Sequence, residues 1–178
     1  MQTSINVAQA FGLVGSFYDL TPFRVDAVEV ATAVNIGGVA GRKSTGEIGA
    51  MDSSTYTAFA GIFVRPHEAV NYGAVESGAA VPLKASLAQP AGATVQVCSM
   101  GRVVVAFTLS ANSEANAKAA TLADGTPIYV TSAGVLTADS TNNTLVGKVV
   151  KGIAAGADGV SGSSTTWTKV QPIVLQLG

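Results

Sequence analysis

The side chains able to do chemistry are few and far apart. The 178 residues contain one histidine, His67, one cysteine, Cys98, and one tryptophan, Trp167. Ser-His-Asp hydrolysis would have to use His67, between Pro66 and Glu68. No Gly-x-Ser-x-Gly elbow exists to present a nucleophile to it. One histidine and one cysteine cannot build a zinc site, which needs three or four such ligands. Gly37-Gly38-Val39-Ala40-Gly41-Arg42-Lys43-Ser44 resembles a phosphate loop, but Arg42 separates the last glycine from the lysine and no helical pattern follows. The eleven acids are dispersed, with no pair set apart for glycoside chemistry and no dense Asp/Asn run for calcium. The expectation is a non-enzyme with no cofactor and no metal.

Composition points the same way. Charged residues make up 12% of the chain and hydrophobic residues 48%. Net charge is −1, and among the ten basic residues only Arg42 and Lys43 are adjacent. Nucleic-acid binding needs clustered cations, and none is present. Mean hydropathy is +0.40, yet no apolar run reaches the roughly 18 residues of a membrane helix. The start, Met1-Gln2-Thr3-Ser4, lacks the basic and apolar regions of a secretory signal. Cys98 cannot pair within the chain and reads as a small apolar residue in a strand. Apolar excess with few charges implies surface buried against other subunits.

The elements that carry these residues are strands. Thr94–Met100, Arg102–Leu109, Pro127–Thr131, Thr144–Lys151 and Val170–Leu177 are short Val/Ile/Thr runs between turns. Val25–Val34 and Tyr56–Val64 are two more, the second stopped by Arg65-Pro66. The stretch from Gly92 to Gly101 aligns with that from Gly125 to Gly134, so each reads as one arm of a hairpin closed by its second glycine. Asn35–Ala50 and Ala154–Thr165 read as long Gly-rich loops. Ala111–Ala123 reads either as a short helix capped by Asn112 or Ser113, with a Glu114–Lys118 pair, or as a loop with one helical turn. The fold expected is all-β, a β-sandwich or jelly-roll-like body over residues 25–178, preceded by an extended arm over residues 1–24.

Two surfaces are candidates for contacts with a neighbouring subunit. The arm carries Ile5, Val7, Phe11, Leu13, Phe17 and Tyr18 without a sustained period, which fits docking by backbone pairing. Arg42 and Lys43 fit a partner carboxylate. Trp167 and Tyr129 are the only residues that fit a carbohydrate-stacking platform, the basis of an alternative reading as a lectin-like ligand-binding module.

Several segments, in order, resemble the structural cement (capsid decoration) proteins of tailed bacteriophages. They are Met1-Gln2-Thr3-Ser4-Ile5-Asn6-Val7, Gly15-Ser16-Phe17-Tyr18-Asp19, Pro22-Phe23-Arg24-Val25, Phe59-Ala60-Gly61-Ile62-Phe63-Val64-Arg65-Pro66-His67-Glu68, Cys98-Ser99-Met100-Gly101, and Gly125-Thr126-Pro127-Ile128-Tyr129-Val130 with Gly134-Val135-Leu136-Thr137. The segment from Phe59 to Glu68 is the most specific. The resemblance implies a β-rich module on the outer capsid surface that binds the major capsid protein. It also implies a homo-oligomer, dimer or trimer, assembled in the bacterial cytoplasm, where no disulfide is needed. The family brings no catalytic residues to carry over.

Overall fold

The computed structural model describes residues 13–19, 21–65 and 88–178. Twelve strands and one short helix follow in chain order: β1 Arg24–Glu29, β2 Val34–Asn35, β3 Val39–Arg42, β4 Ile48–Ala50, β5 Ala58–Val64, β6 Ala88–Gln89, β7 Thr94–Ala111, α1 Glu114–Ala119, β8 Pro127–Val130, β9 Leu136–Thr137, β10 Thr144–Lys151, β11 Val160–Ser163 and β12 Thr166–Leu177. Ten of these strands form one antiparallel sheet in the order β4-β3-β5-β7-β12-β10-β8-β9, with β1 on β7 and β11 on β12. β2 and β6 form a separate two-stranded ladder. The all-β expectation holds.

The 18-residue β7 organises the sheet. Its first half pairs with β1 and β5, so Cys98 lies between Val25 and Ile62. Its second half, Gly101–Ala111, pairs with β12 in unbroken register. The changeover falls at Gly101, whose φ is +131°. A Cβ there would lie 2.7 Å from Cβ of Phe23, so only glycine allows the strand to bend this closely past Phe23. The repeat read from sequence therefore has two outcomes. Gly134 closes the β8–β9 hairpin, with its N–H donating to the Thr131 carbonyl at 2.9 Å. Gly101 closes no hairpin and sits within one continuous strand.

Two apolar cores result. The larger joins Ile62, Val64, Cys98, Val103, Val105 and Phe107 to Ile128, Val149, Ile173, Leu175 and Leu177. The smaller takes the alternate residues of the same strands, Phe63, Val95 and Val97, against Val30, Ile36 and Ile48. β5 and the first half of β7 thus have apolar packing on both faces. In β7 the run Val103–Val105 is fully buried, after which alternation returns: Ala106 and Thr108 are exposed and Phe107 is buried. The nearly continuous apolar run Val103–Leu109 is therefore covered on both sides for only part of its length.

Asn35–Ala50 is not a long loop. β3 and β4 pair through Ala40–Ala50, Gly41–Gly49 and Arg42–Ile48. Its glycines serve close packing: a Cβ on Gly49 would meet the Tyr56 ring at 2.7 Å. Residues 160–163, expected as loop, pair with β12 as β11. The helix is real but spans only Glu114–Ala119. Ser113 Oγ accepts from Asn116 N–H, and Glu114 pairs with Lys118 at 2.6 Å.

Candidate interaction surface

The N-terminal segment reaches the body as a staple. Leu13–Ser16 is a tight turn closed by the Ser16 N–H donating to the Leu13 carbonyl at 2.9 Å. Gly15 then bridges two strands. Its N–H donates to the Val104 carbonyl, and its carbonyl accepts from the Arg65 N–H, both at 2.8 Å. Val104 N–H donates to Ser16, Tyr18 N–H to Arg102, and Phe17 pairs with Val103. Phe17 packs on the larger core and stacks on Phe23 with ring centroids 4.5 Å apart. The described part of the expected arm therefore docks on its own chain, by the backbone pairing expected with a neighbour. Of the six arm residues named from sequence, Leu13 is exposed, Phe17 and Tyr18 are part-buried in this staple, and Ile5, Val7 and Phe11 lie outside the described residues.

A polar clasp holds the following loop. Arg102 donates from Nη1 to Asp19 Oδ2 at 2.7 Å and from Nε to Gln176 Oε1 at 2.9 Å. Asp19 Oδ1 accepts from the Thr21 N–H at 3.0 Å and from the Thr21 hydroxyl. The Thr21 hydroxyl, then Arg102, hold the Asp19 carboxyl below its ordinary value against the opposing effect of burial. A depressed carboxylate stabilises the fold above its unfolded pKa, and that stabilisation is lost as pH falls through the folded value. Asp19→Asn is expected to cost about 1 kcal/mol at neutral pH, since the pair is part-exposed and screened. The difference in Tm between wild type and variant should close as pH drops below about 4. A difference independent of pH would show that the clasp is not ionic.

The surface also carries an apolar groove that sequence reading does not single out. Phe59, Pro127, Leu145, Lys148 and Gly178 line a space of about 660 Å³. Leu145 is 59% exposed, and Met100, also exposed, reaches Gly178. Phe23, 51% exposed, continues the apolar surface past Gly101. The signal is half present in Leu145-Val146: at the bulge in β10 Val146 packs into the larger core and Leu145 is left exposed at the groove.

The remaining candidates separate. Lys43 Nζ pairs with Glu47 at 3.1 Å inside the β3–β4 turn, whereas Arg42 is exposed and forms no ion pair among the described residues. Trp167 lies on β12 and donates from Nε1 to the Ser164 carbonyl. Tyr129 lies on β8, with β10 between the two strands. The carbohydrate platform is not assembled from neighbouring strands. Cys98 is fully buried, its Sγ donating to the Met100 carbonyl at 3.1 Å, and burial pushes the thiol up. That is the state of an unreactive cysteine. Among the described residues no cluster of His, Cys, Asp and Glu has the form of a metal site, and no helix is long and apolar enough to cross a membrane. His67 lies outside the described residues.

Comparison with known proteins gives the architecture its context. A chain of the solved structure "The capsid of Myoviridae Phage XM1" shares this fold, with a TM-score of 0.51 at 17% sequence identity, and 96% of each chain is covered. No curated protein sequence matches. The family described as Structural cement protein (E217 gp24/Pam3 gp6) matches residues 1–169. An all-β body poor in reactive groups, with an exposed apolar groove and a family match over nearly its whole length, is a phage capsid structural protein: the chain belongs to the structural cement protein family.

Proposed function

We propose that this cement protein binds the outer surface of the assembled shell through the major capsid protein, and that it clamps adjacent capsomers without catalysing a reaction. The family match over residues 1–169 carries this reading. The chemistry supports it, because large apolar side chains stand exposed and reactive groups are few. Burial of Phe23, Met100 and Leu145 against the shell would contribute roughly 25 cal/mol per Å² of apolar area removed from water. Ile5, Val7, Phe11 and Leu13 contribute contacts to neighbouring subunits, and exposed Arg42 takes a carboxylate there. Phe17 and Tyr18 serve the staple first. The protein acts as a homo-oligomer, a dimer or trimer. Many weak clamps stabilise the assembled state by mass action, since each binds the shell and not its separated parts; a site at 100 times its Kd adds about 2.7 kcal/mol.

The experiment is co-sedimentation with undecorated shells. Leu145→Asp places a charge in the apolar groove without touching either core. Occupancy is expected to fall at least about tenfold while the far-UV spectrum and Tm stay as in wild type, because desolvating an unpaired carboxylate costs more than about 1.4 kcal/mol. Full occupancy by the variant would move the shell-facing surface elsewhere.

A further inference from the structure

The tripeptide Ala-Asp-Gly occurs twice, as Ala123-Asp124-Gly125 and as Ala157-Asp158-Gly159. Both aspartates and both glycines are exposed, and the glycines share a positive φ, +82° at Gly125 and +73° at Gly159. Their hydrogen bonds differ. At the first pair the Gly125 N–H donates to the Val149 carbonyl at 2.7 Å, and Asp124 Oδ1 accepts from the Gly152 N–H at 2.8 Å. At the second pair the bonds fall on carbonyls instead. The Asp158 carbonyl accepts from Gln171 Nε2 at 2.7 Å, and the Gly159 carbonyl accepts from the Val170 N–H at 2.9 Å. Among the described residues the Gly159 N–H has no acceptor, and the Asp158 carboxylate has neither a donor nor a cation. Glycine is required at 159, because a Cβ there would strike the Val170 carbonyl. The residue that lets the chain enter β11 therefore leaves its own backbone nitrogen unshielded.

We propose that Asp158 is a site of spontaneous isomerisation to isoaspartate in the folded protein, and that Asp124 is protected from it. The reaction uses the two groups that the second turn leaves unbonded. The Gly159 nitrogen attacks Cγ of Asp158, reacting as the carboxylic acid. The N–Cγ bond forms, a Cγ–O bond breaks, and the N–H proton leaves with that hydroxyl as water. Water then opens the cyclic imide at the backbone carbonyl carbon of Asp158, breaking its bond to the nitrogen, and the main chain continues through Cγ. One water leaves and one enters, so no oxidant or other reactant is needed. In the product the main chain is longer by one methylene at residue 158. The carbonyl that Gln171 holds becomes a carboxylate outside the main chain, so the bonds at the entry to β11 are displaced. At Asp124 the same attack must first free both the nitrogen and the carboxylate from their partners. A capsid structural protein is not replaced once its particle has left the cell, so slow chemistry of this kind accumulates.

This chemistry is independent of any shell, and the free full-length protein tests it. One sample is aged folded in neutral buffer and a second is aged unfolded in urea. Isoaspartyl methyltransferase labels isoaspartate, and peptide mapping assigns the label to residue 124 or 158. In the folded protein, label is expected to accumulate at 158 at least about tenfold faster than at 124, where hydrogen bonds must break first. In urea the two sites are expected to react at similar rates, because the tripeptides are identical and the fold no longer separates them. Equal rates in the folded protein, or a faster Asp124, would overturn the proposal. So would a folded protein that gains no isoaspartate at 158 while the unfolded one gains it. Asp158→Glu, whose longer side chain closes the ring far more slowly, is expected to abolish the label in the folded protein with Tm as in wild type. An unchanged amount of label in that variant would place the reaction elsewhere and overturn the assignment.

Discussion

Valine in place of Gly15 is expected to destabilise the fold by about 4 kcal/mol or more, combining backbone strain with a steric clash in a packed interior. Gly15 has φ +82°, and a Cβ there would lie 2.3 Å from Cγ2 of Ile36. The clash has no easy relief. Both polar groups of Gly15 are held, one by Val104 of β7 and one by Arg65 just beyond β5. Movement of residue 15 would break one or both bonds. Gly46 provides the control, with φ +95° but no atom within 4 Å of the place a Cβ would take. Gly46→Val should cost about 1–3 kcal/mol, the backbone strain alone. Urea denaturation of the two variants separates packing from strain. Equal losses would mean that the staple yields and is not part of the folded body. A truncation follows the same line: removing residues 1–18, and with them the staple, should lower Tm.

The second large effect is at Lys169, the one charged side chain that is fully buried among the described residues. Its ammonium donates to the Ala120 carbonyl at 2.9 Å and to the Ala154 carbonyl at 2.6 Å. It therefore ties the end of α1 and the segment after β10 to the first half of β12. Burying a charge without a carboxylate is costly, so replacement by methionine has two opposing effects. The variant removes the buried charge but leaves two carbonyls without a donor, each at about 1–3 kcal/mol. Methionine also fills less of the space. The orphaned carbonyls outweigh the relief, because the ammonium is already solvated by them. Lys169→Met is expected to lower stability by about 2–4 kcal/mol, or Tm by roughly 5–15 °C. Amide exchange should speed up first in α1 and residues 152–156, which lose their anchor. A variant as stable as wild type would show that the charge relief wins.

Much of the sheet is legible in the sequence because β-strand periodicity is local. Thr144–Lys151 reads with the bounds it has in the structure, and Val170–Leu177 lies inside β12. The failures arise where glycine has more than one use. At Gly134 it closes a turn; at Gly101 it lets Phe23 approach a strand; at Gly49 it makes room for Tyr56. Nothing in the neighbouring residues distinguishes these uses, because each depends on a side chain distant in sequence. The staple escapes sequence reading for a related reason: residues 13–18 have no period of their own and borrow their conformation from β7. Lys169 gives no signal, since a lysine between Thr168 and Val170 reads as a solvated strand residue until the partners at 120 and 154 are known. The apolar groove is half legible, in Leu145, and the rest comes from bringing Phe59, Pro127 and Gly178 together across strands.

The central claim is that this cement protein recognises the assembled lattice and not its separated parts. The measurement that reaches it most directly is binding of the purified protein to intact undecorated shells and, in parallel, to the same shells dissociated into capsomers, with imaging of the decorated particles. The account predicts saturable binding to intact shells, density on the outer surface across capsomer seams, and at least about tenfold weaker binding to capsomers, equivalent to about 1.4 kcal/mol per site. Equal affinity for both, or density confined to the interior of one capsomer, would contradict it.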